Sequence, residues 1–461
     1  HARRHSLRFN GNVGLRLSSV ASTRFYASVN SLKQELPGAL TEGDALATPR
    51  KGNFMGDQQR NIASLRLQNR TRFDWGESRL DLGVFLNAKQ LDHPIFQVIG
   101  QKSTDTGAFA RFDHTAGPFA FTLGGEIRRG STHARQFLNV NGARGALRFD
   151  ADQDARTANL YGEVRFKPVE TLTLIAGGIY ADGFRKRRVA YAATSTQDGR
   201  IAFDAFSPKF GVLFEPKPGI QLFANYSRSA EFPGFGEVFQ NVGTPAVSTF
   251  IDSIRPQRAW TAEIGTRGTA GWLSWDVALY RARLSGEMLQ YSAGGNTGIP
   301  AATFNADRTL HQGVEAALSL QPTEWLRLRQ IWQYSDFRFR GDTAFRDNRL
   351  PVVPPHVLRS EIRLGTDALH IAPNLEWLPQ GAWADYANTK RTKGYALLGL
   401  TAGATVREGI DLFLDVRNLA GKAAVGDISA VVNYANLTTA QQAIFYPIER
   451  RAVYGGLRAR F

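Results

Sequence analysis

Apolar and polar residues alternate at every second position in this chain, in segments of ten residues or more, and that pattern constrains the fold more than any other feature. In 79–89, Leu80, Leu82, Val84, Leu86 and Ala88 share one side, while Arg79, Asp81, Asn87 and Lys89 share the other with Gly83 and Phe85 among them. Successive side chains of a strand point to opposite faces, so this is a ribbon with one oily and one wet side. The pattern recurs. Leu160, Val164 and Phe166 oppose Tyr161, Glu163, Arg165 and Lys167; Ile220, Leu222, Ala224 and Tyr226 oppose Gln221, Asn225 and Ser227. Leu358, Ile362 and Leu364 oppose Arg359, Glu361 and Arg363; Ile410, Leu412, Leu414 and Val416 oppose Asp411, Asp415 and Arg417. A helix needs apolar residues at spacings of three and four, which these segments lack.

About nineteen such segments can be counted, most of ten residues or more, against the ~5–6 of an ordinary soluble strand. A strand tilted across a bilayer needs ~9–11 residues, and no run approaches the ~20 apolar residues of a membrane helix. A mean hydropathy of −0.27 looks soluble. Transmembrane strands average to that value, because lipid-facing and lumen-facing residues alternate. The expected fold is therefore all-β, a transmembrane antiparallel β-barrel. A soluble sandwich is the alternative, and it rarely needs strands this long and this many.

The connections alternate in length. Short turns include Gly76-Glu77, Ala116-Gly117, Lys167-Pro168, Gln321-Pro322-Thr323 and Arg407-Glu408-Gly409, where Pro and Gly mark strand ends. Long connections are expected at 34–59, 131–153, 231–256 and 421–446. Short periplasmic turns and long extracellular loops are the asymmetry of an outer-membrane barrel. Trp75, Trp272, Trp325 and Trp377 fall near expected strand ends and suit interfacial girdles. By this alternation the first strand, 7–17, and the last, 451–461, both run downward. Single-chain bacterial barrels have even strand counts, so the parity predicts a 1–461 barrel truncated at its N-terminus by at least one strand.

Charge and composition exclude other classes. The chain carries 56 basic and 41 acidic residues, a net +15, spread along its length rather than gathered in a patch, which argues against nucleic acid as a partner. It has no cysteine, so disulfides, zinc-thiolate sites and thiol nucleophiles are out. His93, His114, His133, His311, His356 and His370 are scattered without metal-site spacing, so no metal site and no cofactor are expected. No converging acid–base constellation marks an enzyme.

Several segments resemble the TonB-dependent outer-membrane receptors, of the ferric citrate and ferric-siderophore receptor type. Glu231-Phe232-Pro233-Gly234-Phe235-Gly236-Glu237 is similar to a loop-opening run of that family. Arg255-Pro256-Gln257 with Glu263-Ile264-Gly265 resembles its entrance to the next strand, with Gln257 where Glu is usual. Asn305-Ala306 with His311-Gln312-Gly313-Val314-Glu315, Leu350-Pro351 with Pro354-Pro355-His356, and Phe413 to Leu419 resemble later strand signatures. The closing stretch from Arg451 to Phe461 resembles the family's last strand. The resemblance implies a barrel of 22 strands preceded by a globular plug, which is absent here. It implies active import of a ferric chelate or other small ligand, energised by the TonB complex through the absent plug segment. It also implies that Phe461 ends a signal read by the barrel-assembly machinery. A passive porin and a barrel enzyme are the other function classes weighed.

Arg is costly toward lipid, at ~2–4 kcal/mol near mid-depth. Arg66, Arg70, Arg72, Arg79, Arg165, Arg327, Arg329, Arg359, Arg363 and Arg417 are therefore expected to face the lumen and to pair with Asp81, Glu163, Glu361, Asp411 and Asp415. The run Arg185-Lys186-Arg187-Arg188 is read as part of a loop, flanked by Phe184 and Tyr191. Three readings stay open for it: drawing an anionic chelate to the mouth, touching phosphates of the lipopolysaccharide leaflet, or a solvated run with no role.

Overall fold

Each alternating segment pairs with the next one in the chain, because a reversal of a few residues returns the following strand antiparallel. The computed structural model describes residues 3–53, 56–194, 196–242, 247–292 and 302–460. In order the elements are β1 (Arg4–Arg16), β2 (Ala21–Glu35), α1 (Glu42–Ala47), β3 (Gln59–Trp75), β4 (Ser78–Pro94), β5 (Gln97–Ala116), β6 (Phe119–Val140), β7 (Ala143–Val169), β8 (Leu172–Ala192), β9 (Gly199–Lys217) and β10 (Ile220–Glu231). Next come α2 (Phe235–Val238), β11 (Phe239–Val242), β12 (Val247–Phe250), β13 (Gln257–Ala270), β14 (Leu273–Tyr291), β15 (Ala302–Thr323), β16 (Leu326–Phe339), β17 (His356–Gly365), β18 (Leu369–Leu378), β19 (Tyr395–Arg407) and β20 (Ile410–Arg417). The chain ends with β21 (Val425–Ile428), β22 (Phe445–Pro447) and β23 (Ala452–Ala459).

Nineteen of these strands form one antiparallel sheet; β11–β12 and β21–β22 are separate hairpins in the long connections. The sheet matches the expected all-β architecture, with β1 and β23 as edges that do not pair with each other among the described residues. The first and last of nineteen alternating strands run in the same direction.

Two expected loops are strand instead. The stretch 131–153 belongs to β6 and β7, which stay paired up to Val140 opposite Ala143. Asn141 and Gly142 make the turn with φ of 48° and 87°. Two successive positive φ values match the right-handed strand twist, and Asn-Gly accepts them most readily. Likewise 183–188 lies inside β8. Its cations do not force a loop because β7 opposes them with carboxylates: Lys186 faces Asp154 and Arg188 faces Asp152.

The apolar face is exposed along its length. Leu160, Ile264 and Leu457 are each 60% or more exposed, and Val84, Leu123, Phe206, Phe210 and Leu279 more than half. An apolar surface this continuous exceeds the few hundred Å² tolerated in water and needs lipid against it. Neighbouring wall strands bond each other's backbone groups, as hydrocarbon requires, while the outer edges of β1 and β23 have no strand partner among the described residues. Trp75, Trp272 and Trp325 stand exposed at the short-turn ends, and Trp377 at the other end of β18.

The compact cores sit at the long-loop end. One packs Leu40 and Ala45 from the β2–β3 connection against Ala384, Val425, Ile428, Ile444 and Phe445. Leu40 and Phe445 exchange two backbone hydrogen bonds of 2.9 Å, so this core ties a loop near one sheet edge to a loop near the other. A second gathers Ala306, Phe339, Leu350 and Tyr386.

Candidate functional site

Cross-strand register assigns side chains to a face. Ser28, Arg66, Asn87, Asp105 and Gly130 form one row on the polar face of β2 to β6. Arg70 and Arg72 share that face of β3, opposite Gly83 and Asp81. Arg359 and Arg363 alternate with the exposed Ile362 and Leu364 on β17.

Seven of the ten arginines expected on the polar face have a carboxylate at ion-pair distance; among the described residues Arg66, Arg327 and Arg329 do not. Asp81 is 2% exposed and receives both Arg70, at 2.6 Å, and Arg72, at 3.0 Å. Arg111 pairs with Asp113 at 2.8 Å, Arg128 with Asp105 at 2.6 Å, and Arg165 with Glu163 at 2.6 Å, where Lys209 joins. Farther round, Arg359 pairs with Glu376 at 2.9 Å, Arg363 with Asp367 at 2.8 Å and Arg417 with Asp415 at 2.8 Å. Asp411 takes Arg460 at 3.5 Å. Of the expected carboxylates, Asp81, Glu163, Asp411 and Asp415 hold cations; among the described residues Glu361 has no cation at ion-pair distance.

Arg66 differs from this pattern. Among the described residues neither it nor Lys89 has a carboxylate at ion-pair distance, and both line a cavity of about 1160 Å³. Asn12, Tyr26, Asn87 and the Asp105–Arg128 pair line it too, and Phe235 of α2 reaches it. The parity of β4 already placed Lys89 on the wet side. Phe235 lies outside every periodic segment, so only the folded connection reveals it.

That connection folds onto the polar face. Phe203, Val238 and Phe239 form a small core, and Arg187 fastens it. Arg187 is 1% exposed. It donates to Ser248 Oγ at 2.6 Å, to the Gln197 carbonyl at 2.7 Å and to Thr196 Oγ1 at 3.1 Å. Its guanidinium lies 3.9 Å from the Phe239 ring centre and 5.5 Å from that of Phe149. A buried cation stacked on aromatic faces is attracted by their quadrupoles.

The six residues expected around the mouth are therefore divided. Arg185 shares the face of Arg187 and donates to the Phe184 carbonyl at 3.0 Å. Lys186 and Arg188 point the other way, and Arg188 sits 3.7 Å from Asp154. Phe184 is on their face, under the guanidiniums of Arg156 and Arg200. Tyr191 stands exposed past a register shift near the end of β8. Phe461 lies outside the described residues. In the cap, Tyr386 donates to the Gln290 carbonyl at 2.8 Å. Burial, reinforced by the charge of Glu287, pushes its phenol well above the ordinary tyrosine range.

A nineteen-strand antiparallel sheet with an exposed apolar face, a charge-laced polar face and all its long loops at one end is the wall architecture of an outer-membrane β-barrel protein. Residues 4–419 match the family model for the β-barrel of TonB dependent receptor-like proteins. The chain belongs to the TonB-dependent receptor family. Solved structures agree on the fold. The ferric yersiniabactin uptake receptor FyuA from Yersinia pestis superimposes with a TM-score of 0.77 at 14% identity, over 99% of this chain and 71% of that one. The ferric citrate transporter FecA gives 0.79 at 16% identity, over 99% and 70%. The copper transporter OprC gives 0.80 at 14% identity, over 100% and 72%. Barrels of this family sit in the Gram-negative outer membrane and act as transport receptors.

Proposed function

We propose that this chain is the barrel of an outer-membrane receptor that takes up a ferric siderophore or similar metal chelate, energised by TonB. The observation that carries this reading is the cavity beside Arg66 and Lys89. Of the cations that line this cavity, Arg128 is paired with Asp105, while Arg66 and Lys89 keep their charge unspent among the described residues, with Phe235 facing the same space. An anionic, oxygen-rich chelate is the ligand such a wall attracts. The chelate brings its own metal, so the barrel needs no metal ligands. Arg185, on the polar face near the mouth, extends the attraction outward, with Tyr191 at the rim. Arg187 serves by holding the 232–250 segment in place.

The energised step needs a plug. Edges β1 and β23 run in the same direction, so an antiparallel closure requires an odd number of further strands. Three, preceded by a plug, would complete the family's 22. In this reading the TonB complex contacts the plug segment, and Phe461 completes the ending that the assembly machinery recognises.

The test is growth of iron-starved cells that carry the full-length receptor as their only importer, supplied with a panel of ferric chelates. Uptake of one chelate that stops when the proton-motive force is dissipated supports the reading. Uptake that continues without it means a passive porin.

A further inference from the structure

We infer that the apolar side of the wall carries a phosphate-binding collar on β10, β13, β14 and β15, built from Arg228, Arg258, Arg281, Arg283 and Arg308, whose partner is a phosphorylated lipid of the outer leaflet.

The register places these residues. Ile264 of β13 and Leu279 of β14 are directly opposed and among the most exposed apolar residues of the wall. Arg281 and Arg283 follow Leu279 at intervals of two, so they point the same way, and Trp260 is opposed to Arg283. Arg228 is opposed to Trp260 from the other side and follows Tyr226 by two. Arg258 is opposed to Ser285, and Ser285 to Arg308, which extends the row to β15. All five stand beyond the apolar band on the side of the long connections.

Tyr226 and Trp260 mark the boundary. Their rings stack at 4.9 Å just where the aliphatic surface ends. Trp272 stands exposed at the opposite end of β13, twelve positions away (272 − 260). That is about the length of strand that crosses a bilayer, and aromatic rings gather at both interfaces. The arginines therefore begin at the level of the lipid headgroups.

Their lack of partners is the second observation. Among the described residues none of the five has a carboxylate at ion-pair distance, although the neighbouring strands supply one to Arg156 and to Arg188 on the same face. Arg228 donates only to a backbone carbonyl, that of Phe206, at 3.2 Å. Five close cations repel one another, and the fold leaves them uncompensated toward the membrane rather than toward the lumen. The guanidinium fork matches phosphate oxygens two at a time. A lipid whose acyl chains lie on Ile264 and Leu279 brings its phosphates to Arg281 and Arg283. This collar is separate from Lys186 and Arg188, which share the apolar face but face Asp154 and Asp152 across the strand pair.

The inference rests on the membrane reading but not on the chelate, because none of the five lines the cavity. The full-length receptor is purified in zwitterionic detergent, and its melting midpoint is followed with bisphosphorylated lipid A, with dephosphorylated lipid A, and with inorganic phosphate. The bisphosphorylated lipid should raise the midpoint and the other two should not. The combined Arg228→Gln, Arg281→Gln and Arg283→Gln variant should lose at least half of that rise while importing its chelate normally. Equal rises with both lipids, a rise with inorganic phosphate alone, or a variant that keeps the whole shift each overturn the collar. A receptor that stays folded and monodisperse without detergent overturns the membrane reading itself.

Discussion

Arg70 and Arg283 occupy the same kind of wall strand and meet opposite fates. Arg70 directs its fork at Asp81, with hydrogen bonds of 2.8 and 2.6 Å, and Arg72 completes a triad around a buried carboxylate. Arg283 lies on the other face with no carboxylate near it, above a band of exposed aliphatic side chains. At the triad, which faces the interior of the barrel, the protein supplies the counter-charge itself. Where a side chain faces the headgroup layer, the surroundings can. The face alone does not decide the pairing: Arg156 and Arg188 find Asp182 and Asp154 on the apolar side, and Arg66 finds no carboxylate on the polar side among the described residues.

Several substitutions would break or sharpen that contrast. The largest effect is expected from Asp81→Ala, which strands two arginines; their partial access to water keeps the loss to about 3 kcal/mol. Urea unfolding of the detergent-solubilised barrel measures it, and a loss under 1 kcal/mol would show that the triad is not neutralising anything. Next is Arg187→Gln. Removing a buried guanidinium that makes several hydrogen bonds should destabilise the 232–250 segment by about 2 kcal/mol, and β11 and β12 should lose hydrogen-exchange protection while β4 keeps its own. Arg66→Gln should leave stability unchanged and weaken chelate binding about tenfold, since one unpaired cation facing the ligand is removed. A binding titration on the intact receptor reads it. Smallest is the combined Arg281→Gln and Arg283→Gln variant, whose stability in plain detergent should stay within about 0.5 kcal/mol of the parent. A larger loss would mean the collar has a protein partner after all.

The wall was legible because lipid imposes a strict two-residue period, and a segment such as 79–89 can satisfy it only as a strand. The count of nineteen, the short turns and the faces of Arg66, Arg70, Arg359 and Arg363 follow from that period alone. The tops of the strands were harder to read. Above the membrane no lipid enforces alternation, so 131–140 and 143–153 read as a loop. The signal present there was Asn141-Gly142, a tight hairpin turn with polar strands on both sides. Charge misled in the same way at 185–188, because the compensating Asp152 and Asp154 lie some thirty residues away in sequence and only register brings them close. The fastening of 232–250 by Arg187 was out of reach altogether, since it depends on aromatic residues from β7 and β11 meeting in space.

The even-numbered side chains of β4 meet hydrocarbon and the odd-numbered ones meet water, and the whole assignment of faces follows from that alternation. The chain contains no cysteine, so single cysteines can be placed at 80, 82 and 84 through 87, which spares the buried Asp81 and the tightly packed Gly83, spin-labelled in the full-length receptor and reconstituted into vesicles. Accessibility to dissolved oxygen should peak at 80, 82, 84 and 86, and accessibility to a water-soluble nickel chelate at 85 and 87. Labels that show no alternation, or an alternation of opposite phase, would contradict the account.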